Sequence, residues 1–161
     1  MRLDKVRLLE GLRARVEADL AAVERRQRDT AAGATHAESR SEHAKDTRAT
    51  EQSYLARGLA ERVEALRETR DRLARLPVGA SGDTIAVGSL VTLRDLESDA
   101  LEHAWLVPVA GGFELEQAGQ HVRTLTPAAP LGRALLGLEA GDEAQLRTPA
   151  GERHFEIVEI G

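Results

Sequence analysis

Hydrophobic residues recur every three or four positions at Leu9, Leu12, Val16, Leu20 and Val23, and the same spacing returns at Leu55, Leu59, Val63, Leu66, Leu73 and Leu76. On a helix such positions share one face, so two amphipathic helices are expected. Between Glu24 and Ser53 there is no Ile, Leu, Val, Met, Phe, Trp or Tyr, and Ala is the only apolar type besides Gly33. A stretch of that composition cannot bury a core of its own. The simplest architecture for residues 1–76 is an antiparallel helical coiled-coil hairpin with a Leu-rich base and an Ala-rich tip. Pairing Leu3 with Leu76 puts the turn near residue 40, within 36–46, and at ~1.5 Å per residue the tip stands on the order of 50 Å from Leu76. The plainer alternatives are a disordered linker over 30–48 and a coiled coil that serves only dimerisation.

After Leu76-Pro-Val-Gly-Ala-Ser-Gly82 the period changes from about 3.6 to 2. Residues 77–84 read as a linker. Ile85–Leu93, His103–Val107, Phe113–Glu116, Ala144–Arg147 and His154–Ile160 read as five short strands. Leu131–Leu136 reads as one short helix, entered at Pro130 and closed by Gly137. Residues 85–161 thus form a small α+β domain, its strands curling round or against one helix. Trp105, Phe113 and Phe155 are expected in its core.

Punctuation and charge divide the chain at the same place. All five prolines and eleven of the fourteen glycines lie from Pro77 onward. Residues 1–76 carry 17 basic and 14 acidic groups (+3), and residues 77–161 carry 5 and 13 (−8), which together give the net charge of −5. The chain has no cysteine, which excludes a disulfide framework, a thiolate zinc site and a thiol nucleophile. Charge interrupts every apolar run of the first twenty residues, so neither a signal peptide nor a membrane span is expected there and the protein reads as cytoplasmic.

No phosphate-binding glycine loop of the GxxxxGK[ST] or GxGxxG kind occurs. The five histidines show no metal-ligand spacing, and the serines lack a nucleophile elbow. Ionisable groups without apolar partners gather at the tip, where Glu38, Glu42 and Asp46 recur at spacing four. On a helical arc they share one side, and carboxylate oxygens suit a hard ion such as Mg²⁺, weakly when they act alone. Arg40, His36, His43 and Lys45 dilute that negative field. Arg25, Arg26, Arg28, Arg48 and Arg57 form a basic collar behind the tip that is able to touch phosphates, although such runs are commonly solvated faces.

The stretch Ile85–Leu93, then Thr126-Pro-Ala-Ala-Pro-Leu-Gly-Arg-Ala-Leu-Leu-Gly137, Gly141-Asp142, Pro149-Ala-Gly151 and Phe155-Glu-Ile157 resembles, in order and spacing, the C-terminal domain of the Gre transcription elongation factors. The resemblance covers about 75 residues, and a helical hairpin ahead of an FKBP-like domain is that family's own order. It implies a partner, bacterial RNA polymerase, on which the C-terminal domain docks while the hairpin enters the secondary channel. There the tip carboxylates help hold a second Mg²⁺ beside the RNA 3′ end, so that the polymerase itself hydrolyses backtracked RNA. The protein would then be no enzyme by itself and have no cofactor of its own.

The family tip places an Asp and a Glu three apart. Matching the second helix through Glu61-Arg-Val63 brings the first onto Glu42 and the second onto Lys45, with Asp46 one residue later. The resemblance therefore implies either cleavage with Glu42 and Asp46, helped by Glu38, or a channel-blocking regulator without cleavage. Pro130 matches the proline of the family's polymerase-contacting loop, so the resemblance implies that Pro130, Leu131 and Arg133 bind the polymerase, and Ala128 stands where an acidic residue is often found. An FKBP-type prolyl isomerase is the enzyme alternative, but three aromatic residues in 77–161 are few for such a pocket, and fold alone is not function. A coiled-coil adaptor is the structural alternative.

Overall fold

The computed structural model describes residues 3–37, 45–79 and 81–161. The chain forms two compact units, one of residues 14–71 and one of residues 1–13 with 72–161. Helix α1 spans Lys5–Ala37 and helix α2 spans Lys45–Ala74, so each has part of its length in both units. Of the residues in which the turn is expected, 36–46, residues 38–44 lie outside the described residues, Glu38 and Glu42 among them.

Within residues 14–71, Val16 and Leu20 of α1 and Leu59, Val63 and Leu66 of α2 are buried. Arg67 donates to Glu24 at 3.0 Å and the Arg70 Nε lies 3.8 Å from Glu17. Partner numbers fall on one helix as they rise on the other, so the helices run antiparallel. These ion pairs are exposed and set register more than stability. Leu55, counted in the apolar stripe, is instead 48% exposed, and its neighbour Tyr54 is 67% exposed. Beyond Glu24, α1 offers only Ala and Gly as apolar residues, too small to bury them.

The second unit is a six-stranded mixed sheet of order β3-β4-β2-β1-β6-β5. Its strands are β1 (Leu90–Asp95), β2 (Leu101–Leu106), β3 (Glu114–Gln117), β4 (Gln120–Leu125), β5 (Glu143–Thr148) and β6 (Gly151–Ile160), with helix α3 (Pro130–Leu135) between β4 and β5. All pairings are antiparallel except β2 with β4. One face buries Val91, Leu93, Ala104, Leu106, Phe155 and Ile157 with Leu131 and Leu135 of α3. Trp105, on the alternate face of β2, is fully buried. Its indole N–H donates to the Gly88 carbonyl at 3.3 Å, and the Lys5 ammonium donates to the same oxygen at 3.0 Å. The start of α1 thus belongs to this face. Asp4 caps the helix by accepting the Val6 N–H at 2.9 Å, and the Gln117 amide brackets the Asp4 backbone, accepting its N–H at 2.7 Å and donating to its carbonyl at 3.3 Å.

Two strand expectations are corrected. Strand β1 begins at Leu90, not Ile85, because Ile85 pairs with the end of α3, donating to the Leu138 carbonyl and accepting the Gly137 N–H, both at 2.8 Å. Gly88, with φ +99°, then turns the chain into the sheet. Strand β4, with no counterpart among the five expected strands, brings the count to six. Trp105 and Phe155 are buried as expected, and Phe113 is only partly covered.

Candidate functional site

Two regions carry the residues singled out from the sequence. At the hairpin end, Lys45 and Asp46 are the first two residues of α2. Arg25, Arg26 and Arg28 on α1 and Arg48 and Arg57 on α2 are exposed. Among the described residues no group of three His, Cys, Asp or Glu is placed to hold a metal ion.

The second region is the loop from β4 into α3. The Val107 N–H donates to the Leu125 carbonyl at 2.8 Å, fixing the end of β4. The Ala129 N–H then donates to the Thr126 carbonyl at 3.0 Å, closing a turn around Pro127 and Ala128. Ala129 is extended (φ −64°, ψ 146°), as a residue before proline tends to be, and Pro130 opens α3 where a helix lacks a partner for its N–H. Pro130 and Arg133 are exposed. Leu131 is only 7% exposed and packs in the sheet core. The structure thus brings Pro130 and Arg133 to one surface and makes Leu131 their anchor beneath it. Gly137 (φ +81°) ends the helix, and the antiparallel bridge of Thr84 with Glu139 ties that end down.

A charged cluster that sequence patterns did not reveal fastens the β1–β2 hairpin. The buried Asp95 carboxylate accepts the Glu97 and Ser98 N–H groups, each at 2.9 Å. Arg153 also donates to it, donates to Glu102 at 2.7 Å, and lies 4.6 Å over the Phe155 ring. The Ser98 N–H, then Arg153, hold the Asp95 carboxyl at about 2, and the two carboxylates raise Arg153. Since that value lies below the ~3.9 of an unfolded Asp, the stabilisation is present in full above that pH and fades as pH falls toward 2. Asp95→Asn should therefore lower the melting temperature by several degrees at pH 7, and thermal unfolding should show the gap to wild type closing below about pH 3. In the same domain, burial lowers the His103 pKa against the opposing charge of Glu159.

A concavity of about 400 Å³ is lined by Leu93, Leu101 and Leu131 together with polar side chains such as Glu102, His121 and Arg123, with no Phe, Tyr or Trp among its described residues. That lining does not supply the aromatic pocket an FKBP-type isomerase needs.

Fold and surface together define a two-part protein, a helical hairpin joined to an α+β domain with an exposed proline loop. The family described as transcription elongation factor GreA/GreB, C-terminal domain, matches residues 80–161. The transcription inhibitor protein Gfh1 of Thermus thermophilus is 34% identical over 99 residues, 62% of this chain and 60% of that protein. The transcription elongation factor GreA of Magnetococcus marinus is 30% identical over 122 residues, 74% of this chain and 71% of that protein. A solved structure of the transcription factor Gfh1 aligns at 26% identity over 93% of both chains with a TM-score of 0.42. The chain belongs to the GreA/GreB family of transcription elongation factors. With Gfh1, the matched stretch spans three fifths of the relative's length. Among the described residues no helix is long and apolar enough to cross a membrane.

Proposed function

We propose that this protein binds bacterial RNA polymerase and regulates transcription through the secondary channel, docking by the α+β domain and inserting the hairpin. The family match over residues 80–161, which includes the Pro130 loop, carries this reading. Pro130 and Arg133 meet the polymerase and Leu131 holds them to the core. At the hairpin end, Glu42 and Asp46, helped by Glu38, lend oxygen ligands to a Mg²⁺ shared with the polymerase beside the RNA 3′ end. Carboxylates suit that ion, and it supplies charge stabilisation for hydrolysis that the polymerase performs. The protein needs no cofactor of its own and acts in the cytoplasm. Residues 85–161 supply the docking surface and residues 77–84 lead into it from the hairpin of residues 1–76, whose first thirteen residues and last five fold in the same compact unit as the docking surface.

Lys45 favours a second reading, since it stands where the family's second tip carboxylate belongs and a basic residue there opposes a cation. In that reading the hairpin occupies the channel and inhibits without stimulating cleavage. Binding of the full chain to core polymerase tests both. Wild type should be retained on immobilised core polymerase and Pro130→Ala should bind at least about fivefold more weakly, a cost near 1 kcal/mol. Absence of wild-type binding would remove both readings and leave the adaptor.

A further inference from the structure

We propose that Gly111 and Gly132 are positioning residues for the docking loop, because their missing side chains let two neighbouring segments close on Thr126 and fix the backbone that presents Pro130. The inference rests on the polymerase-docking reading and assigns that surface its support.

A Cβ at Gly132 would fall on the Thr126 carbonyl oxygen, well inside van der Waals contact, and 3.0 Å from its carbonyl carbon. A Cβ at Gly111 would lie 2.9 Å from the Thr126 Cγ2 and 3.1 Å from its backbone nitrogen. One glycine therefore bears on the carbonyl of Thr126 and the other on its amide. Neither has a left-handed φ, in contrast to Gly112 at +87°, so it is space and not backbone conformation that requires glycine at both places. Glycine within a helix is a poor helix former, and its presence at Gly132 agrees with a demand for close approach.

The contacts converge on a single residue, Thr126. The Thr126 oxygen that Gly132 leaves room for also accepts the Ala129 N–H, and the Ala129 carbonyl in turn accepts the Arg133 N–H at 2.9 Å. Displacing that oxygen opens the turn immediately before Pro130. The Gly111 segment is itself held against the end of β4. The buried Thr124 hydroxyl donates to the Ala110 carbonyl at 2.7 Å and accepts the Phe113 N–H at 2.9 Å, and the Gly112 N–H donates to the Thr124 carbonyl at 2.8 Å. Within the loop, Pro127 and Pro130 each fix a φ angle. Thr126-Pro-Ala-Ala-Pro130 bears no charge, so its recognition depends on shape, and an uncharged loop gains affinity by being held in its bound form beforehand.

The test is affinity of the full-length chain for core RNA polymerase, read alongside hydrogen exchange of the Ala129 amide at a temperature where every variant is folded. Gly132→Ala should lose at least about tenfold in affinity and Gly111→Ala about threefold, because Gly132 meets backbone and Gly111 meets in part a side-chain methyl. Both should speed Ala129 exchange. Adding Thr126→Ser, which removes the Cγ2, should restore most of the loss in Gly111→Ala and none in Gly132→Ala. A general loss of stability would not give that selective rescue. Should Gly132→Ala fail to fold, Gly111→Ala with and without Thr126→Ser decides the matter. If wild type binds and Pro130→Ala weakens it, while the glycine variants bind and exchange as wild type does, the positioning role is overturned and the docking reading stands. If wild type does not bind, the docking reading falls and the role assigned to the glycines falls with it.

Discussion

Glu42→Ala and Asp46→Ala will each slow the release of 3′ RNA fragments from a backtracked polymerase complex by at least about tenfold, the equivalent of ~1.4 kcal/mol in the barrier. Polymerase binding will be unchanged in both. The two carboxylates stand four positions apart, a spacing at which helical side chains share one side. Two carboxylates alone hold a divalent ion weakly, so their effect depends on arriving beside the polymerase's own metal. If wild type binds and gives no cleavage, Lys45 is the reason to test first, and Lys45→Glu should restore some cleavage. Failure of that gain would end the metal-holding proposal and leave channel occlusion.

Removing residues 14–71 and joining Arg13 to Arg72 by a short Gly/Ser link will leave a folded protein that retains affinity for core polymerase, whereas the fragment 77–161 will be severely destabilised. The Arg13 guanidinium donates to the Leu73 carbonyl at 2.9 Å, so a short link spans the cut. Leu8, Leu9, Leu12, Leu73 and Leu76 are all buried in this part of the chain. At ~1.5–3 kcal/mol for each fully buried side chain, losing even part of their packing costs on the order of 5 kcal/mol, comparable with the whole stability of a small domain. Denaturant unfolding of the two proteins checks the difference. Equal midpoints would mean that residues 1–13 and 72–76 contribute nothing to the domain.

The hairpin and most of the sheet were legible because they are written in local periods. Val16, Leu20, Val63 and Leu66 repeat at helical spacing, and Val91 and Leu93 alternate with polar neighbours. Strand β4 was not legible, because Gln120-His-Val-Arg-Thr-Leu125 has only two large apolar residues. Its buried Thr124 is a polar residue whose hydroxyl is satisfied by Ala110 and Phe113. Its parallel pairing with β2 leaves no local signal either. The place of residues 1–13 rests on contacts such as Asp4 with Gln117, 113 positions apart, which no periodicity can show. The Asp95, Arg153 and Glu102 cluster is hidden for the same reason. In the candidate site, Pro130 and Arg133 could be singled out from a motif. That Leu131 is their buried anchor, and that Thr126 is gripped by two glycines, required the packing.

The most direct test of the central claim is a photo-crosslinker placed at residue 42 of the full chain, bound to a polymerase complex halted on backtracked RNA. The expected result is crosslinking to the RNA 3′ end or to polymerase residues around the catalytic Mg²⁺, lost when the RNA is not backtracked or when Pro130→Ala weakens docking. A chain that binds core polymerase and crosslinks only to its outer surface would contradict it.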